Sequence, residues 1–593
     1  MKKMIVAMGL LSLLAGVAGC KDGKYLEEHP ETFYSVDNAF SSSAQVDQVL
    51  ISLYKHIREL WANPSENQWI YVLKGNGTDM YDVPNIRKSN NFIDYGVINP
   101  GHDHFYQIYT TWYYVISRAN TVLYAAELPQ VTFASESEKT YMIAQARFFR
   151  AFAYKSLAEL FGGVPIVTEI VSVPKYDYTR ASRIETYQFA IDELEAIEND
   201  MPETTASGGR LVRGAAQHNL AELYLATGIQ MAEEGKVPDA QNAFAKSIAY
   251  ANKVIDGNTY SLIKARYGTR MDERTVSTPV YMNGEPGSPV DTTLQATNYY
   301  WDMFQEGNVN YQEGNTECIW AVQIDYAAYK AEDRSSVLPH TRAYGQIFRI
   351  GAEKHLTGML EDVGGRGITW ILPTWYTRDL IYEGKWGVDM RNSDIVFRRR
   401  FKGNVSTSPY FKQIVPWEEM YNGSPDPAVN SENASLCYPQ SCKITTDRFT
   451  GLTDGEIRSS LFRDEYVIRL PETILLRAEA KQRSGDKAGA AADINLLRER
   501  AQCTYPVTAS DVDDNFDLIL DERARELVYE EMRWNTLLRM GGTVAVDRIR
   551  KYAWWPEAKA TLTFNYNLFP IPQLVIDTNT GVKLEQNPGW TNR

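Results

Sequence analysis

The helical signal is clearest in Ala144-Gln145-Ala146-Arg147-Phe148-Phe149-Arg150-Ala151-Phe152, in the middle of residues 136–161. Within this stretch Ala144, Phe148 and Phe152 recur at four-residue intervals, and a parallel row is formed by Phe149, Ala153 and Leu157. Such spacing places all six side chains on one broad apolar face of an α-helix. We therefore predict a helix over residues 136–161 that packs against other helices.

Similar helical patterns occur on the C-terminal side of this stretch. Ser182 and Glu185 form a capping box ahead of a helix that should run to about Asp200. After Gly214, one stripe carries Ala216, Leu220 and Tyr224, and its partner helix carries Phe244, Ile248, Ala251 and Ile255. Such amphipathic helices, adjacent in sequence, are expected to pack as pairs.

A second helical region follows residue 470. Pro471 suits the first turn of a helix that should end near Gly485. The next helix repeats apolar residues at intervals of four, three and four, and a last long helix is predicted over 515–540. Antiparallel pairs with a turn at Gly485-Asp486 are typical of tetratricopeptide-like repeats.

The fold class predicted is mainly α, a tetratricopeptide-like scaffold of helical pairs with a large loop-rich insertion. Between about 260 and 455 helical patterns thin out, while Gly, Pro, Asn and aromatic residues become more frequent. Loops this long in a compact protein are usually functional or disordered. The predicted division is a signal peptide 1–19, a tether 20–35, helical parts 36–260 and 456–545, the insertion 261–455, and a C-terminal segment 546–593.

The N-terminus has the form of a lipoprotein signal. Lys2 and Lys3 precede an apolar run that ends in Leu14-Ala15-Gly16-Val17-Ala18-Gly19-Cys20. A basic start, about fifteen apolar residues and small residues before the cut are typical of secretory signals. The run is shorter than the roughly twenty residues of a membrane-spanning helix. We therefore predict that Cys20 is lipidated, begins the mature protein and attaches it to a membrane.

Composition excludes some functions and favours others. The formal charge of −14 argues against a nucleic-acid partner, which requires clustered Lys and Arg. Aromatic residues make up 12% of the chain, with 37 Tyr and 13 Trp. Their flat apolar faces with polar edges suit the stacking of sugar rings. Cys437 and Cys442 could pair in an oxidising compartment or remain free thiols.

Several motifs together resemble the signature of the SusD/RagB family. The run at 144–152 leads to Leu160-Phe161-Gly162-Gly163-Val164-Pro165, and later come Arg469-Leu470-Pro471-Glu472 and Glu522-Arg523-Ala524-Arg525-Glu526-Leu527. The chain closes with Gln586-Asn587-Pro588-Gly589-Trp590, which has Trp where the family more usually has Tyr.

The resemblance implies a lipoprotein of the Bacteroidetes outer membrane that faces the exterior. Lys21-Asp22 and Glu27-Glu28 resemble the acidic export signal of such lipoproteins. Family members cap a SusC-like TonB-dependent transporter and capture oligosaccharides or, in some members, peptides, and catalysis is not part of this role. No cofactor is expected. The Arg and Glu residues of the motifs are expected to pair between packed helices.

The first candidate ligand-binding region lies between residues 75 and 95. Asp79, Tyr81, Asn85, Arg87 and Tyr95 combine rings for stacking with groups that hydrogen-bond hydroxyls. The glycines of this stretch predict a loop. An equally weighted alternative is a turn whose Asp and Asn side chains satisfy their own backbone.

The second candidate region is the insertion. Tyr326, Arg342 and Tyr344 have polar neighbours, which favours exposure, whereas Trp320 and Trp370 sit among apolar residues and are expected in the core. Trp375, Tyr382 and Trp386 belong to the same aromatic-rich stretch.

Catalytic and metal-binding alternatives have weaker support. Asp79 and Asp82 could serve a glycoside hydrolase only if their carboxyl groups stood about 5–10 Å apart across a substrate. His102-Asp103-His104 has no visible third ligand cluster, so we expect a polar turn there. Asp511, Asp513 and Asp514 lack calcium-loop spacing and are expected to cap the following helix. No catalytic or metal-ligating residue is therefore assigned.

Overall fold

The computed structural model describes residues 39–63, 65, 67–84, 93–281, 290–346, 354–356, 367–384, 387–420, 437–445, 460–564 and 566–591. The predicted signal peptide, the tether and four residues named above lie outside the described residues: Cys20, Asn85, Arg87 and Trp386.

The N-terminal part consists of long helices with one short strand. Ser135 caps the helix at 136–161 by accepting a hydrogen bond from the Glu138 N–H at 3.1 Å, and Gly162, with φ +75°, ends it. This helix has the predicted bounds. The elements are α1 (Ser43–Ala62), α2 (Gln68–Lys74), β1 (Tyr81–Asp82), α3 (Asp103–Ala126), α4 (Glu136–Phe161), α5 (Arg183–Glu195), α6 (Arg213–Glu233) and α7 (Val237–Ile255).

Between α7 and residue 464 the described elements are short. Each helix there has four or five residues: α8 (Tyr299–Asp302), α9 (Tyr326–Lys330), α10 (His340–Tyr344), α11 (Trp375–Arg378) and α12 (Trp417–Met420). The strands are β2 (Thr275–Tyr281), β3 (Val290–Ala296), β4 (Cys318–Val322), β5 (Leu372–Pro373), β6 (Phe397–Arg398) and β7 (Gln440–Ser441).

The C-terminal part returns to helices after one strand. Its elements are β8 (Glu465–Arg469), α13 (Leu470–Arg483), α14 (Lys487–Arg500), α15 (Asp517–Leu527), α16 (Arg533–Arg539), α17 (Val544–Tyr552), α18 (Pro556–Thr561) and α19 (Gln573–Thr578). Gly485, with φ +90°, forms the predicted turn between α13 and α14. As predicted for a cap, the Asp513 carboxylate accepts the Asp517 and Leu518 N–H groups, both at 2.8 Å.

Pairs of helices form the scaffold, and the strands only connect its parts. Helix α3 packs on α4, α6 on α7, and α13 on both α7 and α14. Every sheet among the described residues is two-stranded and antiparallel: β1–β5, β2–β3, β4–β8 and β6–β7. The mainly α fold with tetratricopeptide-like pairs is thus confirmed.

One predicted helix is wrong. The stretch 515–540 is divided into α15 and α16, because Tyr529 adopts φ +65° and its N–H donates to the Tyr81 hydroxyl at 2.6 Å. After this break, the Glu531 carboxylate accepts hydrogen bonds from both Arg523 and Arg533. The helix is interrupted because the backbone and carboxylates of this stretch bond to other elements.

The family motifs meet in the interior as pairs of opposite charge. The Glu526 carboxylate accepts hydrogen bonds from Arg469 at 2.8 Å and Arg391 at 3.1 Å, and from Arg500. All four side chains are at most 1% exposed. Burial alone would raise the pKa of Glu526, but the three arginines hold it well below its usual range. The prediction that these residues pair between packed elements is confirmed.

The C-terminal segment packs back onto α4. The Phe569 N–H donates to the Leu160 carbonyl at 2.7 Å, and the Asn587 amide donates to the Phe161 carbonyl at 2.9 Å. Trp590 is buried against Phe105, with ring centroids 5.9 Å apart. The two ends of the family signature therefore contact each other directly.

Other expectations concern single side chains. Trp320 is buried in the main core, as predicted, whereas Trp370 is half-buried at the edge of a smaller cluster. Cys437 and Cys442 are buried in two different hydrophobic clusters, and Cys442 is a free thiol. Of the helices described, none has the length and hydropathy to cross a membrane.

Candidate functional site

The first candidate region is a turn whose polar residues face inward. Gly75 and Gly77 have φ values of +129° and +86°, which glycine adopts without steric cost. The Thr78 hydroxyl donates to the Gly75 carbonyl at 2.7 Å. The chain then enters β1. The turn is therefore a compact structure that carries its side chains into the protein.

Asp79 is fully buried between two arginines. Its carboxylate accepts two hydrogen bonds from Arg533, at 2.8 and 2.6 Å, and one from Arg548 at 3.0 Å. Burial alone would raise the pKa of Asp79, but the two guanidinium groups lower it to about 2. The carboxylate is thus occupied by the scaffold and inaccessible to a ligand at the surface.

The tyrosines of the two candidate regions come together in the interior. Tyr81 and Tyr344 have ring centroids 6.2 Å apart, and each also contacts the ring of Tyr529, at 5.8 and 5.0 Å. Tyr95 donates its hydroxyl to the Gly77 carbonyl. All are buried, and burial raises the pKa of each candidate hydroxyl. These rings support the turn and are not available for stacking on a sugar.

Asp82 is also buried and lies in β1, three residues after Asp79 in the chain. Burial raises the pKa of Asp82 to about 7, although hydrogen bonds from backbone N–H groups oppose the rise. One of these is the bond from the Val83 N–H, at 2.9 Å. With both carboxyl groups enclosed by protein, Asp79 and Asp82 do not flank a cleft of the kind that glycoside hydrolysis requires.

The remaining described candidates lie near the surface. Tyr326 is half-buried, with its ring edge-on to Phe462 at 4.9 Å. Arg342 is half-buried on α10, and its carbonyl accepts the Ile368 N–H at 3.0 Å. The structure does not bring Tyr326 into the cluster that holds Tyr81 and Tyr344.

Strands β1 and β5 join the two candidate regions. Tyr81 pairs with Pro373 and Asp82 with Leu372. Beyond β5, the Thr374 hydroxyl donates to the Asp79 carbonyl at 2.6 Å, and the Thr377 hydroxyl donates to the Met80 carbonyl at 2.7 Å. Helix α11 is therefore fastened to the turn, and the position of Trp375 is fixed relative to it.

A hydrophobic cluster beside this strand pair carries two half-buried rings at its surface. Val83 and Ile93 are buried in this cluster, and Trp375 and Tyr410 pack against it with part of each ring exposed. The Trp555 indole N–H donates to the Val83 carbonyl at 2.8 Å. We call the partly exposed surface that Trp375 and Tyr410 form over this cluster, next to the buried strands β1 and β5, the β1–β5 face.

Polar and charged groups accompany these rings. The ring of His355 lies edge-on to that of Tyr410, with centroids 5.2 Å apart. Lys354 pairs with Glu419 at 3.3 Å, and both are exposed. The guanidinium of Arg378 lies over the Trp375 ring at 4.9 Å. Rings next to hydrogen-bonding groups are what a glycan site needs.

Sequence reasoning did not single out Tyr410. The signal that pointed to Tyr326, a ring flanked by polar residues in a stretch without helical periodicity, also occurs around Ser408-Pro409-Tyr410. Asn85 and Arg87 lie outside the described residues, so their role in ligand binding stays a prediction.

The stretch His102-Asp103-His104, where a polar turn was expected, is the start of α3. The His102 ring accepts the His104 N–H at 3.3 Å and caps α3. Among the residues described, no group of three or more His, Cys, Asp or Glu side chains could hold a metal ion.

Comparison with known proteins connects this architecture to one family. Residues 316–590 match the model of the SusD family, and residues 24–225 match a model described as starch-binding associating with outer membrane. The starch-binding protein SusD of Bacteroides thetaiotaomicron is 25% identical over 509 residues, which cover 81% of this chain and 78% of that protein. The SusD-like protein P2 of Formosa agariphila is 24% identical and covered over 98% of both chains.

A solved structure shows the same fold. The crystal structure of a SusD homolog from Bacteroides thetaiotaomicron superposes with a TM-score of 0.65 at 18% identity, over 94% of this chain and 98% of that one. Helical pairs with an inserted loop-rich region thus define a SusD-like protein. The chain belongs to the SusD/RagB family.

Proposed function

We propose that this protein is a lipid-anchored binding protein of the outer membrane that captures oligosaccharides or polysaccharides. The β1–β5 face carries the proposal, because two fixed and partly exposed rings stand there among hydrogen-bonding side chains. Rings stack on the C–H faces of sugars, while charged and amide groups bind their hydroxyls. The starch-binding relative supports this class of ligand.

The proposed site combines residues that the structure describes with residues that lie outside the described ranges. Trp375 and Tyr410 supply the rings, and Asn85 and Arg87 supply hydrogen-bonding groups from the segment that follows the turn. Four buried residues support this site from the interior, because their contacts hold the turn and α11 in place. They are Asp79, Tyr81, Tyr95 and Tyr344. A rigid support of this kind reduces the entropy lost on binding.

The location and the partner belong to the same proposal. The signal-like N-terminus supports lipidation at Cys20, and the family model described as associating with the outer membrane supports a location at that membrane. We infer that the protein passes its ligand to a SusC-like TonB-dependent transporter. Attachment beside the transporter raises the local concentration, so modest affinity for the glycan is sufficient.

Isothermal titration calorimetry of the soluble form, residues 21–593, against a panel of polysaccharides and oligosaccharides tests the binding role. Peptide mixtures belong in the same panel. Saturable binding of at least one glycan is the expected result. Binding of peptides with no glycan binding would replace the glycan by a peptide cargo, and turnover of a glycan would point to a hydrolase instead.

A further inference from the structure

A cavity of about 60 Å³ lies between the N-terminal and C-terminal helices, away from the β1–β5 face. Its walls come from α1, α3, α4, α6, β8, α13 and α16, and from the break between α15 and α16. None of the residues that line it belongs to the proposed glycan site. Its contents are therefore a separate question from glycan binding.

Five polar atoms on the wall are buried and have no hydrogen-bond partner among the residues that the structure describes. They are the indole nitrogens of Trp61 and Trp112, and one oxygen each of Glu159, Asn219 and Asn535. Four of the five side chains are at most 5% exposed, and Asn535 is half-buried. A buried polar atom without a partner costs about as much as a lost hydrogen bond, so native proteins satisfy nearly all of them.

The second polar atom of three of these side chains is already bound. The Asn535 amide donates to the other Glu159 oxygen at 2.8 Å, and the Asn219 amide donates to the Ala215 carbonyl at 2.8 Å. These bonds fix the orientation of each group. The unpartnered oxygens therefore cannot be satisfied by turning the side chains.

The five atoms require an occupant that both donates and accepts hydrogen bonds. Two indole N–H groups need acceptors, while the three oxygens need donors. The neighbouring carboxylates of Glu222 and Glu472 already pair with Lys155 and, at 3.0 Å, with Arg523. Burial raises the pKa of Glu159, which favours its neutral form, so the wall does not require a charged ligand. Apolar ligands would leave every polar atom unsatisfied.

We propose that this cavity is a binding site for a cluster of ordered water molecules that joins α1 and α3 to α4, α6 and α16. About 60 Å³ accommodates roughly two to four waters, given ~15–30 Å³ for each. Buried waters typically make about three hydrogen bonds to groups of this kind.

Water–protein magnetisation transfer tests the proposal directly. The full-length protein is labelled with ¹⁵N at the tryptophan indoles, and the signals of Trp61 and Trp112 are assigned with W61F and W112F variants. We expect both indole protons to show cross-peaks with water. Trp320 is the matched control, because it is equally buried but donates to the Gly209 carbonyl at 3.1 Å and should show none.

A crystal structure at about 1.5 Å resolution gives the second readout. Water peaks within about 3.2 Å of the five named atoms are expected. Absent density together with absent cross-peaks would overturn the proposal. A single peak with contacts of about 2.3–2.6 Å would overturn it in favour of a bound cation. Neither measurement depends on glycan binding, so the two proposals succeed or fail separately.

Discussion

Arg533 donates two hydrogen bonds to the carboxylate of Asp79, at 2.8 and 2.6 Å, across 454 positions of sequence. Both side chains are fully buried. Arg533 opens α16, directly after the break that follows Tyr529, and Asp79 lies in the turn that leads to β1. This ion pair therefore fastens the proposed ligand-binding region to the C-terminal helices.

Asp79→Asn should destabilise the protein by about 3–5 kcal/mol, because it leaves Arg533 and Arg548 buried without their shared anion. The pKa of Asp79 is lowered to about 2, so its stabilising effect is present above pH ~4 and is lost as pH falls toward 2. Chemical denaturation at pH 7 and at pH 2.5 measures the difference. Asp177→Asn, at an exposed site, is the control and should change stability by less than about 0.5 kcal/mol. An equal loss in both variants would contradict the assignment.

Asp82→Asn should have the opposite effect on the free energy of unfolding at neutral and alkaline pH: it should stabilise the protein. Because the folded-state pKa is raised to about 7, the folded protein binds the extra proton, and stability falls as pH rises from about 4 to 7. The asparagine variant avoids this loss and should be more stable than the wild type at pH 8, by up to about 4 kcal/mol. The difference should largely vanish near pH 4. Melting temperatures at both pH values test this, and destabilisation at pH 8 would refute it.

Glu526→Gln should be among the most damaging substitutions in the scaffold. Three buried arginines donate to this carboxylate, and removing its charge takes one buried anionic partner from each of them, at a cost of about 3–5 kcal/mol. Glu499→Gln on α14 is the matched control, because that side chain is exposed. Urea unfolding of both variants measures the contrast. Similar midpoints for E526Q and E499Q would show that the network contributes little.

Trp375→Ala and Tyr410→Ala should each weaken binding of the cognate glycan at least tenfold, which corresponds to about 1.4 kcal/mol. Both rings are partly exposed, so the fold should survive, as circular dichroism can verify. Tyr124→Ala on α3, an exposed ring 43% accessible to solvent, serves as the control and should bind like the wild type. Unchanged affinity in both variants would move the site away from the β1–β5 face.

Cys20→Ala should leave glycan binding by the purified protein intact but impair growth of the native bacterium on the cognate glycan. The reason is that, in the proposed function, the acyl chains and not the binding site keep the protein beside the transporter. Titration calorimetry and growth curves separate the two effects. Normal growth of the variant on that glycan would contradict the proposed role of the anchor.

Much of the scaffold was predictable because its signals are local. Helix α4 has the predicted bounds, since its apolar spacing, its Ser135 cap and its terminal Gly162 all lie within one stretch. The capping box at Ser182 and the turn at Gly485 are present for the same reason. The prediction of one helix over 515–540 was wrong because the Tyr529 N–H donates to the hydroxyl of Tyr81, which is distant in sequence.

The sequence by itself determined the family, the helical pairs and the internal pairing of the motif arginines and glutamates, because these depend on periodicity and on motifs contained in short stretches. Only the tertiary structure decided which candidate residues face a ligand. Asp79, Tyr81, Tyr95 and Tyr344 have the chemistry of a glycan site, yet each is buried by partners far away in sequence. A local pattern states which bonds a side chain can make, but burial and pairing depend on contacts that form only when the whole chain has folded.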